Sequence, residues 1–130
     1  MNTTEKSAPR ILIADDDHSI RQLLTTIVRR ERLVVDAAAD GAEAIEKLQE
    51  HEYAVILLDL MMPRVDGYAV LAHMRKHQPE LLPCMILATA APERDLERNL
   101  KDPVYMVHTK PFDMRQLIAD VRHCAKLDAA

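Results

Sequence analysis

The sequence predicts an α/β fold, a doubly wound sheet of five parallel strands with helices on both faces. Three observations carry that expectation. Short apolar runs recur along the chain, at residues 11–14, 33–35, 54–58, 84–88 and 104–107. Most do not alternate with polar residues, as expected of strands covered on both faces. Stretches of helical apolar spacing lie between them, and the links are short, which favours parallel neighbours joined by right-handed crossovers.

In chain order, residues 1–9 are polar and are expected to form a flexible lead-in to a domain spanning 10–127. The first strand runs into Asp15-Asp16-Asp17. A helix follows, because Ile20, Leu23, Leu24, Ile27 and Val28 fall on one stripe. After the second strand, residues 41–51 place Ala42, Ile45 and Leu48 at helical spacing, and residues 67–77 do the same with Val70, Leu71 and Met74. Residues 92–101 offer only Leu96 and Leu100, so a short or mobile polar helix is expected there. The last helix is marked by Met114, Leu117, Ile118 and Val121.

A chain of 130 residues suits one compact domain with a single core. Seventeen basic residues against 21 acidic ones leave a net charge of -4, which argues against direct nucleic-acid binding through overall charge. Cys84 and Cys124 lie in an apolar run and near a helix end, so no disulfide framework is expected and a reducing, cytoplasmic setting is. No apolar run approaches the roughly 18 residues of a membrane span, and no membrane partner is expected.

In parallel sheets of this kind the ligand site lies beyond the carboxyl ends of the strands. Four strand ends bring chemistry to that rim: the Asp15 cluster after the first, Asp59 after the third, Thr89 after the fourth and Lys110-Pro111 after the fifth. Some of the nearby residues have ordinary roles. Asp16 or Asp17 suits the N-cap of the first helix, Asp66 a turn and cap, and Asp113 the cap of the last helix, while Gly67 is read as supplying backbone freedom. Asp59 is different, because Pro63 holds Met62 extended and delays the next helix beyond capping reach.

Clustered carboxylates repel one another, and hard oxygen donors without a Cys/His cluster favour Mg2+. Such a site needs a phosphoryl acceptor, a cation facing the metal and a hydroxyl for a remaining oxygen. Asp59, Lys110 and Thr89 are the residues available for those roles. His108, His123, Cys84 and Cys124 lack metal-ligand spacing, and no dinucleotide or P-loop glycine motif occurs.

Taken together, the acidic cluster, D-L-M-M-P-x-x-D-G from Asp59, T-A at Thr89 and K-P-F at Lys110 resemble the response-regulator receiver domains of two-component signalling. The likeness covers nearly the whole chain after Arg10. It implies the flavodoxin-like strand order 2-1-3-4-5, with Asp59 as phosphoacceptor. It further implies Asp15, Asp16, Asp59 and the backbone carbonyl of Met61 as Mg2+ ligands, Thr89 as the hydroxyl that turns toward the phosphoryl group, Lys110 as its counter-cation, and a cis Lys110-Pro111 peptide. The partners implied are a histidine kinase or histidine phosphotransfer protein as donor and a downstream protein target. No effector domain is expected in this chain, and its only catalysis would be its own phosphorylation and dephosphorylation.

Two departures stand out. Receivers often carry an aromatic residue three positions before the lysine, where this chain has Val107, and Tyr105 lies further from the rim. Asp102-Pro103 replaces the common Gly-Ala turn before the fifth strand. Apolar Met61 and Ala91 flank the acceptor and suggest a long-lived phosphoryl group. The rival readings are a phosphorylation-independent binding module on the same fold and a haloacid-dehalogenase-type phosphatase. The latter is opposed by Met61, which stands where a second acid is wanted.

Overall fold

The structure, a computed structural model, describes residues 8–90, 104 and 106–127. The elements run β1 (Arg10–Ala14), α1 (His18–Arg29), β2 (Val34–Ala38), α2 (Gly41–Glu50), β3 (Val55–Leu58), α3 (Gly67–His77), a 3-10 helix (Pro79–Cys84), β4 (Met85–Thr89), β5 (Met106–Thr109) and α4 (Met114–Cys124). The strands form one sheet in the order β2-β1-β3-β4-β5, and every pairing is parallel. The predicted helix at 92–101 lies outside the described residues, as do Ala91, Tyr105 and residues 1–7 of the lead-in.

Alternation along the strands explains why helices cover both faces. Leu12, Ile56, Leu58, Met85 and Leu87 point to one side and pack with Leu48 of α2 and Val70, Leu71 and Met74 of α3. Ile11, Ile13, Val55, Leu57 and Ile86 point to the other and pack with Leu24 and Val28 of α1 and Leu117 and Val121 of α4. β1, β3 and β4 are therefore apolar at consecutive positions, whereas the edge strands β2 and β5 are partly exposed.

Among the described residues, each long helix begins on an aspartate in extended backbone. Asp17, Asp40, Asp66 and Asp113 accept N–H bonds from the first turns of α1, α2, α3 and α4. Each such cap contributes about 1 kcal/mol and fixes where the helix leaves the rim.

Several expectations need correction, beginning with β4, which starts at Met85 because Cys84 closes the 3-10 helix. β2 begins at Val34 rather than Leu33 and continues through Asp36 to Ala38, because α1 unwinds through Arg30 to a left-handed Arg32 (φ 65°) first. β5 spans Met106–Thr109, two residues later than the apolar run, since pairing of Thr89 with Thr109 carries the strand on to the rim. Gly67 has no positive φ, so backbone freedom is not its purpose. A Cβ there would lie 2.5 Å from both the Asp59 carbonyl oxygen and Leu60 Cα, so glycine is required by close approach of α3 to the backbone of Asp59.

Candidate functional site

The ends of β1 and β3 lie side by side, with Ala14 paired to Leu58, so the next residues, Asp15 and Asp59, emerge as neighbours. Their amides stay in the sheet's bonding, Asp15 N–H donating to the Ala38 carbonyl (3.1 Å) and Asp59 N–H to the Ala14 carbonyl (2.9 Å). Both acids are buried, at 2% and 3% exposure, and Asp16 beside them is exposed. One carboxylate oxygen from each of the three lies within 4.8 Å of the others.

Lys110 reaches this cluster from the end of β5, where its amide donates to the Thr89 carbonyl at 2.9 Å. Its Nζ donates to Asp59 Oδ2 at 3.1 Å and to Asp15 Oδ2 at 3.2 Å. The remaining carboxylate oxygens are bonded to the backbone, Asp59 Oδ1 by the Met61 amide and Asp15 Oδ1 by the Asp17 amide, each at 2.9 Å. The Lys110-Pro111 peptide is cis. Thr89 is fully buried at the end of β4.

Charge is unbalanced here. At an effective dielectric near 20 and 4.8 Å, two ionised carboxylates repel by about 3 kcal/mol. Burial pushes the Asp15 carboxyl above its usual range, and the Asp17 N–H and Lys110 fall short of pulling it back. Burial by itself would lower the Lys110 ammonium, but its hydrogen bond to Asp59 and the charges of Asp15 and Asp59 outweigh that and raise it. One ammonium is thus held tightly without neutralising three acids. An all-oxygen donor set with surplus negative charge fits a hard divalent cation.

The loop after Asp59 is anchored by residues that sequence spacing did not single out. Arg64, in left-handed backbone (φ 64°), donates to the carboxylate of Asp40, the α2 cap. The Gly41 amide donates to the Val65 carbonyl at 2.9 Å, and a Cβ at Gly41 would collide with that carbonyl at 2.1 Å. Only the glycine and the turn residues hint at this contact in sequence, because its partners are more than twenty positions apart. On the other side, the Arg21 guanidinium donates to the Asp15 carbonyl at 2.8 Å and ties α1 to the acidic turn.

Sequence expectation and geometry can be compared residue by residue. Asp15, Asp16, Asp59 and Lys110 come together, and Thr89 adjoins through its backbone. Met61 contributes its amide to Asp59 while its side chain is 52% exposed. Asp17, Asp66 and Asp113 cap helices. Val107 is half-buried, packed against the α2/α3 core.

Residues 11–122 match the family described as response regulator receiver domain. The transcriptional regulatory protein SrrA of Staphylococcus aureus is 35% identical over 112 residues, covering 86% of this chain and 46% of SrrA. The chain therefore spans less than half the length of the curated relatives it matches. Among solved structures, the receiver domain of the Francisella response regulator 1452 superposes with a TM-score of 0.80 at 32% identity, covering 91% of this chain and 97% of that one. Response regulator TrrA of Thermotoga maritima, solved in complex with Mg(2+)-BeF, superposes with a TM-score of 0.79 at 28% identity, covering 89% and 98%. With its five parallel strands in the order β2-β1-β3-β4-β5 and a family match over residues 11–122, the chain belongs to the response regulator receiver domains of two-component systems.

Proposed function

We propose that this chain accepts a phosphoryl group from a phosphohistidine onto Asp59, in a Mg2+-dependent reaction, and thereby changes the surface it offers to a protein partner. The observation that carries this reading is the lysine bridge: Lys110 Nζ sits 3.1 Å from Asp59 Oδ2 and 3.2 Å from Asp15 Oδ2 at the ends of buried strands. The donor would be a histidine kinase or histidine phosphotransfer protein.

In that reaction an Asp59 carboxylate oxygen forms a bond to phosphorus as the bond from phosphorus to the donor imidazole breaks, and the imidazole nitrogen keeps the electron pair. Asp15, Asp16, Asp59 and the Met61 carbonyl would hold Mg2+, which supplies positive charge to the oxygens of the transferring group. The Met61 amide orients the acceptor carboxylate through Oδ1, leaving Oδ2 beside Lys110. Lys110 then follows the charge onto the phosphoryl oxygens, and the Thr89 hydroxyl turns toward the same group. A group that contacts Thr89 and Lys110 biases β4 and β5 toward one of two arrangements, which is how a local mark alters a distant surface.

Incubation with acetyl phosphate and Mg2+, read by intact mass, tests the reading. A single added phosphoryl group that requires both Mg2+ and Asp59 is expected. A folded sample that gains none would instead favour a module that signals without phosphorylation.

A further inference from the structure

The α2/α3 side of the molecule carries a pair of side chains that the acidic rim does not use. His73 and His77 stand four residues apart on the last two turns of α3, so their rings project from the same face. The ring centroids are 4.6 Å apart and tilted by 40°, which is neither a stacked nor an edge-on pair. Both rings border a groove of about 240 Å³ whose other walls are Leu48 and Gln49 of α2 and Gln78.

We propose that His73 and His77 form a binding site for a divalent transition-metal ion of the zinc class, separate from the acidic rim. An imidazole nitrogen lies about 2.0–2.1 Å from such an ion, which puts each ring centroid about 3.2 Å from it. Two rings on one ion are then roughly 4.5–5.2 Å apart for ligand angles between square and tetrahedral. The observed 4.6 Å falls inside that window.

The surroundings suit a cation. His73 is held below the usual imidazole range by burial first and by the His77 charge second, so its ring is available as a neutral ligand. The pair sits at the carboxyl end of α3, where the helix dipole and free carbonyls favour positive charge. Arg75 lies about 160° around the helix from both histidines, and Lys76, about 60° from His73 and 100° from His77, does not line the groove. Leu48 supplies a buried apolar wall. Gln78 adds a buried amide oxygen that has no hydrogen-bond donor among the described residues. Water on a bound ion would supply one. The positions not filled by imidazole stay open to water, as in a partly exposed two-ligand site.

Calorimetric titration of the whole chain with ZnCl2, with Mg2+ in excess to occupy the acidic rim, tests this. One equivalent of saturable binding is expected, with a rise in Tm. His73→Ala and His77→Ala should each remove both. The double variant R75H/H77R keeps the number of histidines and the charge but moves one ring about 160° around the helix, and it too should lose the site. Saturable binding that survives in all three variants would place the ion elsewhere and overturn the proposal, as would an absence of saturable binding in the native chain.

Discussion

The two poles of the acidic rim are built differently. Asp15 and Asp59 leave β1 and β3, strands whose interior residues are buried on both faces and which are each paired with a strand on either side. Lys110 leaves β5, an edge strand that begins at Met106, 40% exposed, and pairs with β4 alone in the sheet. The acidic pole is thus set by the core, and moving it would disturb both apolar clusters. The lysine pole is held by one strand, the contact of His108 on β5 with Asp120 on α4, and its own salt bridges. A rigid pole suits capture of a metal and a phosphoryl group, and a looser one suits a response to that capture.

The largest effect that sharpens this contrast is functional. Asp59→Asn keeps the shape of the acceptor and should abolish phosphoryl uptake, measured by intact mass after acetyl phosphate treatment. Next comes packing. Leu57→Ala on β3 should cost about 2–5 kcal/mol in urea unfolding, whereas Met106→Ala on β5 should cost under about 1 kcal/mol. Equal losses would break the distinction between the poles.

Lys110→Met tests the bridge with little change of volume. Two buried acids lose their counter-ion, and after discount for the lysine's partial exposure about 1–2 kcal/mol should be lost without metal, with Mg2+ restoring part of it. The alkaline limb should change as well. Because the folded-state lysine is raised above 10.5, its contribution is complete below that value and is lost as pH rises through the folded value. In Lys110→Met that alkaline loss should be absent from the pH dependence of the urea midpoint.

A further modest effect lies away from the rim, at β2. Tyr53 Oη donates to Asp36 Oδ2 at 2.7 Å, and Arg10 adds a 2.8 Å salt bridge to the same oxygen. Burial alone would raise Asp36, but the Tyr53 and Arg10 bonds outweigh it and lower it. Its contribution is therefore present above 3.8 and is lost as pH falls through the lowered folded value. Tyr53→Phe should cost about 1 kcal/mol at neutral pH and less in acid, seen in the same urea assay.

Much of this architecture was legible in the chain because it is written in local patterns. Consecutive apolar positions identified the covered strands, aspartates in front of helical stripes identified the caps of α1, α3 and α4 though not Asp40 of α2, and the strand-end rule brought Asp15, Asp59, Thr89 and Lys110 to one rim. The boundaries of β2 and β5 were not, because pairing with a neighbour extended each strand past its apolar run. The 3-10 helix at Pro79–Cys84 likewise carries no apolar period of its own.

Contacts between distant positions were also invisible. His108 Nε2 and Asp120 Oδ2 meet at 2.6 Å between β5 and α4, and Arg64 docks on Asp40, yet neither pair has a spacing that announces it. Gly67 shows the same limit. Its identity was read as conformational, and the reason is the backbone of Asp59 pressed against it.

An acyl phosphate leaves a chemical trace on the one residue that carries it. Borohydride reduction of the acetyl phosphate-treated protein converts an acyl phosphate to an alcohol, and peptide mapping then reports which aspartate carried it. Homoserine is expected at position 59 alone, dependent on Mg2+. Conversion at Asp15, Asp16 or another acid, or conversion at Asp59 that is indifferent to Mg2+, would contradict it.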